Sequence, residues 1–100
     1  MRITRYDIEE LISDLNYLLF PNGSRLDENF NHTLGWFVLD YNNDGYKLAR
    51  IVNSQGGERD LTYRETGKEI YAYVSGLING IKIAQAEIIN VWFQWRFNNQ

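Results

Sequence analysis

One hundred residues, 44% of them hydrophobic and 23% charged, fit one folded domain over residues 1–100 and argue against wholesale disorder. The chain has no cysteine and a single histidine, His32, which removes disulfide frameworks, thiolate chemistry and multi-histidine metal centres. Ten basic residues against 13 acidic ones leave a net charge of -3, a poor balance for a domain that lives on nonspecific DNA binding.

At the N-terminus, Arg2 and Arg5 lead into Asp7, Glu9 and Glu10 instead of an apolar run, so no signal peptide and a cytoplasmic location are expected. From Thr4 onward Ile8, Leu11, Ile12, Leu15, Leu18 and Leu19 recur at the spacing of one helical stripe. Thr4 can accept from backbone N–H groups as the N-cap, with Asp7 at the third helical position, and Phe20-Pro21-Asn22-Gly23 supplies the stop. Leu34 to Tyr41 and Tyr46 to Asn53 read as strands joined through Asn42-Asn43-Asp44-Gly45, a hairpin. In the second strand Tyr46, Leu48, Arg50 and Val52 alternate with Lys47, Ala49 and Ile51, which predicts a sheet with one covered face. Ser24 to Phe30 is a candidate edge strand.

Ser54 to Gly57 reads as a turn, and Thr66-Gly67-Lys68-Glu69 as a capping box opening a second helix. Its buried stripe is Ile70, Tyr73, Val74, Leu77, Ile78 and Ile81, and Gly76 with Gly80 would let another backbone approach. In the tail, Ile89, Val91, Phe93, Trp95 and Phe97 alternate with Asn90, Trp92, Gln94 and Arg96, although Ile88, Val91, Trp92 and Trp95 also fit a helical stripe. The weight of aromatic and β-branched residues favours a strand over Ile88 to Phe97. Apolar stretches are interrupted by Asn79, Lys82, Gln85, Glu87 and Asn90, short of the ~20 residues a membrane-spanning helix needs. The expected architecture is α+β: an antiparallel sheet built on the hairpin, both helices on one face, and a C-terminal aromatic strand. Leu11, Leu15, Val74, Leu77 and Ile81 should form the core. Residues 88–100 should be interfacial, completing the sheet or pairing two copies into a homodimer.

Asp40-x-Asn42-x-Asp44-Gly45 has the alternating oxygen donors that open a calcium-binding loop, but the twelfth position is Ile51, so a hairpin turn is the better reading. His32 has no recognisable nucleophile or orienting acid, Gly56-Gly57 lacks the ending of a phosphate-binding loop, and Arg50, Arg59, Arg64 and Lys68 are interleaved with Glu58, Asp60, Glu65 and Glu69. No catalytic residue, cofactor or metal is therefore expected. Two features point to binding. Asp7, Glu9, Glu10 and Asp14 share the outward side of the first helix, where they would steer a basic partner. Aromatics make up 15% of the chain, more than so small a domain readily buries, and Trp92 and Trp95 are the expected anchors.

Gly56-Gly57-x-Arg59-Asp60, then Thr66-Gly67-Lys68-Glu69-Ile70-Tyr71 and Gly76-Leu77-Ile78-Asn79-Gly80-Ile81, resemble small accessory proteins of bacteriophages and prophages. The aromatic tail after Ala84 departs from that pattern. The order of acidic helix, hairpin and second helix is similar, in architecture, to small anti-CRISPR inhibitors. The resemblance implies a non-enzymatic mobile-element protein that binds and inhibits a host protein, a CRISPR nuclease or other defence nuclease. A single-stranded nucleic-acid-binding module and a virion structural subunit are the alternatives.

Overall fold

The computed structural model describes residues 2–99, so Met1 and Gln100, the two ends of the expected domain, lie outside the described residues. The element order is α1 (Arg5–Leu19), β1 (Phe37–Asn42), β2 (Gly45–Ile51), β3 (Glu58–Asp60) and α2 (Gly67–Asn98). The architecture is α+β, with a three-stranded antiparallel sheet in the order β1-β2-β3.

Helix α1 starts where the local chemistry places it. The Asp7 N–H donates to Thr4 Oγ1 (3.2 Å) and the Thr4 N–H donates to Asp7 Oδ2 (2.8 Å), so two backbone donors that the helix leaves free are satisfied reciprocally. The helix ends at Phe20, whose N–H reaches back to the Asn16 carbonyl, because Pro21 disfavours helical dihedrals at the residue before it. On α2, the Thr66 hydroxyl accepts from the Glu69 N–H (3.2 Å) and donates to the Glu69 carboxylate (2.8 Å), so this cap closes through side chains.

The hairpin turns on Asn43 and Asp44, with the Asp44 N–H donating to the Asn42 side-chain oxygen (2.8 Å). Gly45 holds φ +124, and a Cβ there would collide with the Glu65 carbonyl oxygen. Leu39 pairs with Leu48 and Phe37 with Arg50, which sends Phe37, Leu39 and Leu48 to the helix side. Ile8, Ile12 and Leu15 from α1, Phe37 and Leu48 from the sheet, and Ile70, Val74 and Ile78 from α2 close one buried cluster there. Of the expected core, Leu15 and Val74 are fully buried, and Leu11, Leu77 and Ile81 are partly buried against that cluster.

Four expectations are corrected. The tail is not a strand: α2 runs unbroken for 32 residues and includes Ile88 to Phe97. No proline or turn interrupts the chain after Thr66, and extending a nucleated helix needs only one more residue, whereas a strand needs a reversal and a free edge to pair with. The sheet has apolar residues buried on both faces, because Val38, Ala49 and Ile51 form a second small cluster with Trp36 opposite the helices. Ser24 to Phe30 forms no edge strand; it folds back through a lone Leu26–His32 bridge, with Asp27 Oδ1 accepting from the Asn29 and Asn31 N–H groups. Gly76 and Gly80 face open space, with nothing near the position of a Cβ, because they lie on the side of α2 away from Ile70, Val74 and Ile78.

Candidate functional site

The two helices run in the same direction: Ile8 Cδ1 lies 3.4 Å from the Cβ position of Gly67, and Leu18 and Tyr17 share a depression with Ile78 and Lys82. Helix α1 stops at Leu19, while α2 continues through Asn98. Past Ile81 every described residue of α2 is exposed. The tail is therefore a projecting helix, and its apolar side chains have nothing to pack on.

Trp92 and Trp95 are 54% and 62% exposed, and Ile88, Ile89, Val91, Phe93 and Phe97 are exposed to a similar degree. At 100° per residue these side chains leave a continuous polar strip only along Glu87, Asn90, Gln94 and Asn98. Two shallow depressions run along the apolar side. One is lined by Ile88, Val91, Trp92 and Trp95 and bordered by Glu87; the other by Trp92, Phe93, Arg96 and Phe97. Trp92 borders both, and the Arg96 guanidinium sits 5.3 Å over its ring. A helix apolar over most of its circumference is normally a buried one.

The acids are placed differently. Asp7 is engaged in the α1 cap, and the hydrogen bonds from the Thr4 backbone and hydroxyl hold its carboxyl below the ordinary range. Glu9 Oε1 accepts from Arg5 Nε at 2.8 Å, and Glu10 accepts from the Tyr6 hydroxyl at 2.9 Å, which pushes the Tyr6 pKa up. Asp14 lines the depression that Lys82 also lines. Of the four acids Glu9 pairs with Arg5, and neither Glu10 nor Asp14 makes an ion pair among the described residues. The acids do not adjoin the tryptophans: Asp7, Glu9 and Glu10 lie near the start of α2, and Trp92 is roughly 37 Å further along the helix.

Several polar contacts were not legible in the sequence. Asn16, 4% exposed, donates to the Phe37 carbonyl (3.0 Å) and accepts from the Phe37 N–H (2.8 Å), tying α1 to the free edge of β1. Asp40 faces Arg64 (3.2 Å) and Lys47 (3.7 Å), and Lys47 also reaches Asp60 (3.0 Å). Glu65 is pushed above the ordinary carboxylate range by its hydrogen bond to Glu69; Glu69 is held below it by the Thr66 hydroxyl and by Glu65. These contacts organise the sheet end and the α2 cap. His32 packs on Gly56, and its Nδ1 has no partner among the described residues. No cluster of three His, Asp or Glu residues close enough to hold a metal ion occurs among the described residues, and none of the described helices is long and apolar enough to cross a membrane. Comparison with known proteins finds no matching family model, no matching curated sequence and no matching solved structure.

Proposed function

We propose that this chain acts without catalysis, as a phage or mobile-element protein that occupies the surface of a host protein in the bacterial cytoplasm and blocks it. The observation that carries the reading is the projecting half of α2, which holds its large apolar side chains in water at a cost no monomer recovers. A rigid helix bearing Ile89, Phe93 and Phe97 suits an apolar groove on a partner, where desolvated aromatics supply most of the binding energy. The choice of a CRISPR nuclease or other nucleic-acid-handling defence nuclease as that partner follows from the sequence resemblance alone. Stacking on single-stranded nucleic acid is less favoured, since the tail carries only Lys82 and Arg96 where such modules line a basic groove.

The test is plasmid or phage interference in cells that carry candidate defence systems, with and without the protein. Protection by the wild type that is lost with Phe93→Ala and with Phe97→Ala supports the reading. No protection against any system overturns the defence assignment and leaves a structural or nucleic-acid role ahead.

A further inference from the structure

The stripe of α2 that the body covers does not stop where the body stops. Ile70, Val74, Leu77 and Ile81 follow one another at steps of four and three and pack towards α1 and the sheet. The same alternation continues, without a break in phase, through Ala84, Ile88, Val91 and Trp95. Helix α1 lies against the first part only, its last turn ending beside Ile78 and Lys82. A seam of coiled-coil spacing is thus occupied over one half and empty over the other.

We infer that the empty half is filled by the same segment of a second copy, the two α2 tails packing antiparallel about a two-fold axis. This rests on the reading of the tail as an interaction surface and names one occupant of one of its stripes. Three features select a second copy. The first is size. With Ile88 opposite the partner's Val91, the antiparallel register places Trp95 opposite the partner's Ala84, a large side chain over a small one, twice by symmetry. A parallel pair would set Trp95 against Trp95 and leave a gap between the two Ala84 residues.

The second feature is reach. In that register the incoming tail starts beside Ile81, where α1 ends, so it continues the cover that α1 provides, and the two bodies stand at opposite ends of the paired helices. The third is charge and area. Beyond Lys82 the tail holds only Glu87 and Arg96, so it is neutral while the whole chain carries -3, and parallel pairing would stack each of these charges on its own kind. The exposed parts of Trp92 and Trp95 from both copies amount to roughly 600 Å². With Ile88, Val91 and Ala84 the buried area reaches roughly the 1,000 Å² of a specific interface. The stripe of Ile89, Phe93 and Phe97 stays outside the seam and open to a different partner.

Light scattering of the full chain at micromolar concentration should give twice the 11.8 kDa of one chain. Ala84→Trp and Trp95→Ala should each weaken the dimer at least tenfold, and combining them should restore it, because the exchange rebuilds the large-over-small pair. The chain has no native cysteine, so register can be read directly: Ala84→Cys copies should cross-link to Trp95→Cys copies and not to one another. A monomer at ~100 µM, a dimer indifferent to both substitutions, or cross-linking of Ala84→Cys copies among themselves overturns the inference. A monomer that still loses host-protein binding with Phe93→Ala would overturn self-pairing while leaving the tail as the working surface. Circular dichroism of each variant guards against unfolding, and no side chain of the buried cluster is altered.

Discussion

At the scale of single residues, the strongest polar requirement is Asn16. Its amide satisfies both the donor and the acceptor of Phe37 in a buried place, so Asn16→Ala leaves two backbone groups without a partner. The expected loss is about 2–4 kcal/mol in urea denaturation, comparable with the ~2–5 kcal/mol for a cavity left by Leu15→Ala. Thr4→Ala should cost about 1 kcal/mol through the α1 cap. Asp7 gives that cap a pH dependence. Its folded pKa is lowered by the Thr4 hydrogen bonds, so its contribution is present above the ordinary carboxylate pKa and is lost as pH falls through the folded value. Asp7→Asn should therefore flatten the acid limb of stability measured below about pH 4. Glu69 has the same sign. Glu65 has the opposite one, its contribution full at low pH and lost as pH rises through its raised folded pKa, so the second cap is the less acid-sensitive.

At the scale of elements, α2 divides into a packed half and an exposed half at about Ile81. The first half is held by the core and the second by its own backbone hydrogen bonds, continued from the nucleus at Thr66. Measured at a concentration low enough for the full chain to be monomeric, ending the chain at Ala86 should leave the thermal midpoint of the body nearly unchanged, since no side chain beyond that point belongs to a buried cluster, while far-UV ellipticity drops by the lost turns. A fall of more than about 5 °C, equivalent to ~1 kcal/mol in a domain of this size, would mean that the tail supports the body. Gly76→Ala and Gly80→Ala meet empty space, and each should stabilise the helix by about 1 kcal/mol. The short strand β3 escapes a propensity reading because Glu58, Arg59 and Asp60 are all exposed and charged. It is held by pairing with β2, flanked by bonds from the Val52 N–H to Gly57 and from the Leu61 N–H to Leu48.

At the scale of the whole molecule, the long axis measures 58 Å. The acids of α1 and the aromatics of the tail are far apart on it and belong to different surfaces. Reversing Glu9 and Glu10 to Lys should change the association rate with a tail-bound partner by less than about threefold, because charges beyond roughly 10 Å are screened at moderate salt. Phe93→Ala should act mainly on dissociation. Stopped-flow measurement at two salt concentrations separates the two effects.

The sequence by itself determined what depends on neighbours along the chain. Thr4 and Asp7 mark the start of α1 and Pro21 its end, Asn42 to Gly45 make the hairpin turn, and Ile70, Val74, Leu77, Ile78 and Ile81 find the core while Tyr73, expected on the same stripe, is exposed, because caps, turns and periodicity are short-range effects. The site was legible only in part: Trp92 and Trp95 were found by their type, but their setting was read as a strand, since aromatic and β-branched residues suit both states and neighbours along the chain do not say whether a sheet edge lies within reach. Tertiary structure alone decided the rest. Asn16 meets Phe37, Lys82 shares a depression with the end of α1, β3 pairs with β2, and the seam of α2 outruns its cover, because each depends on which surfaces the fold brings together across long stretches of chain.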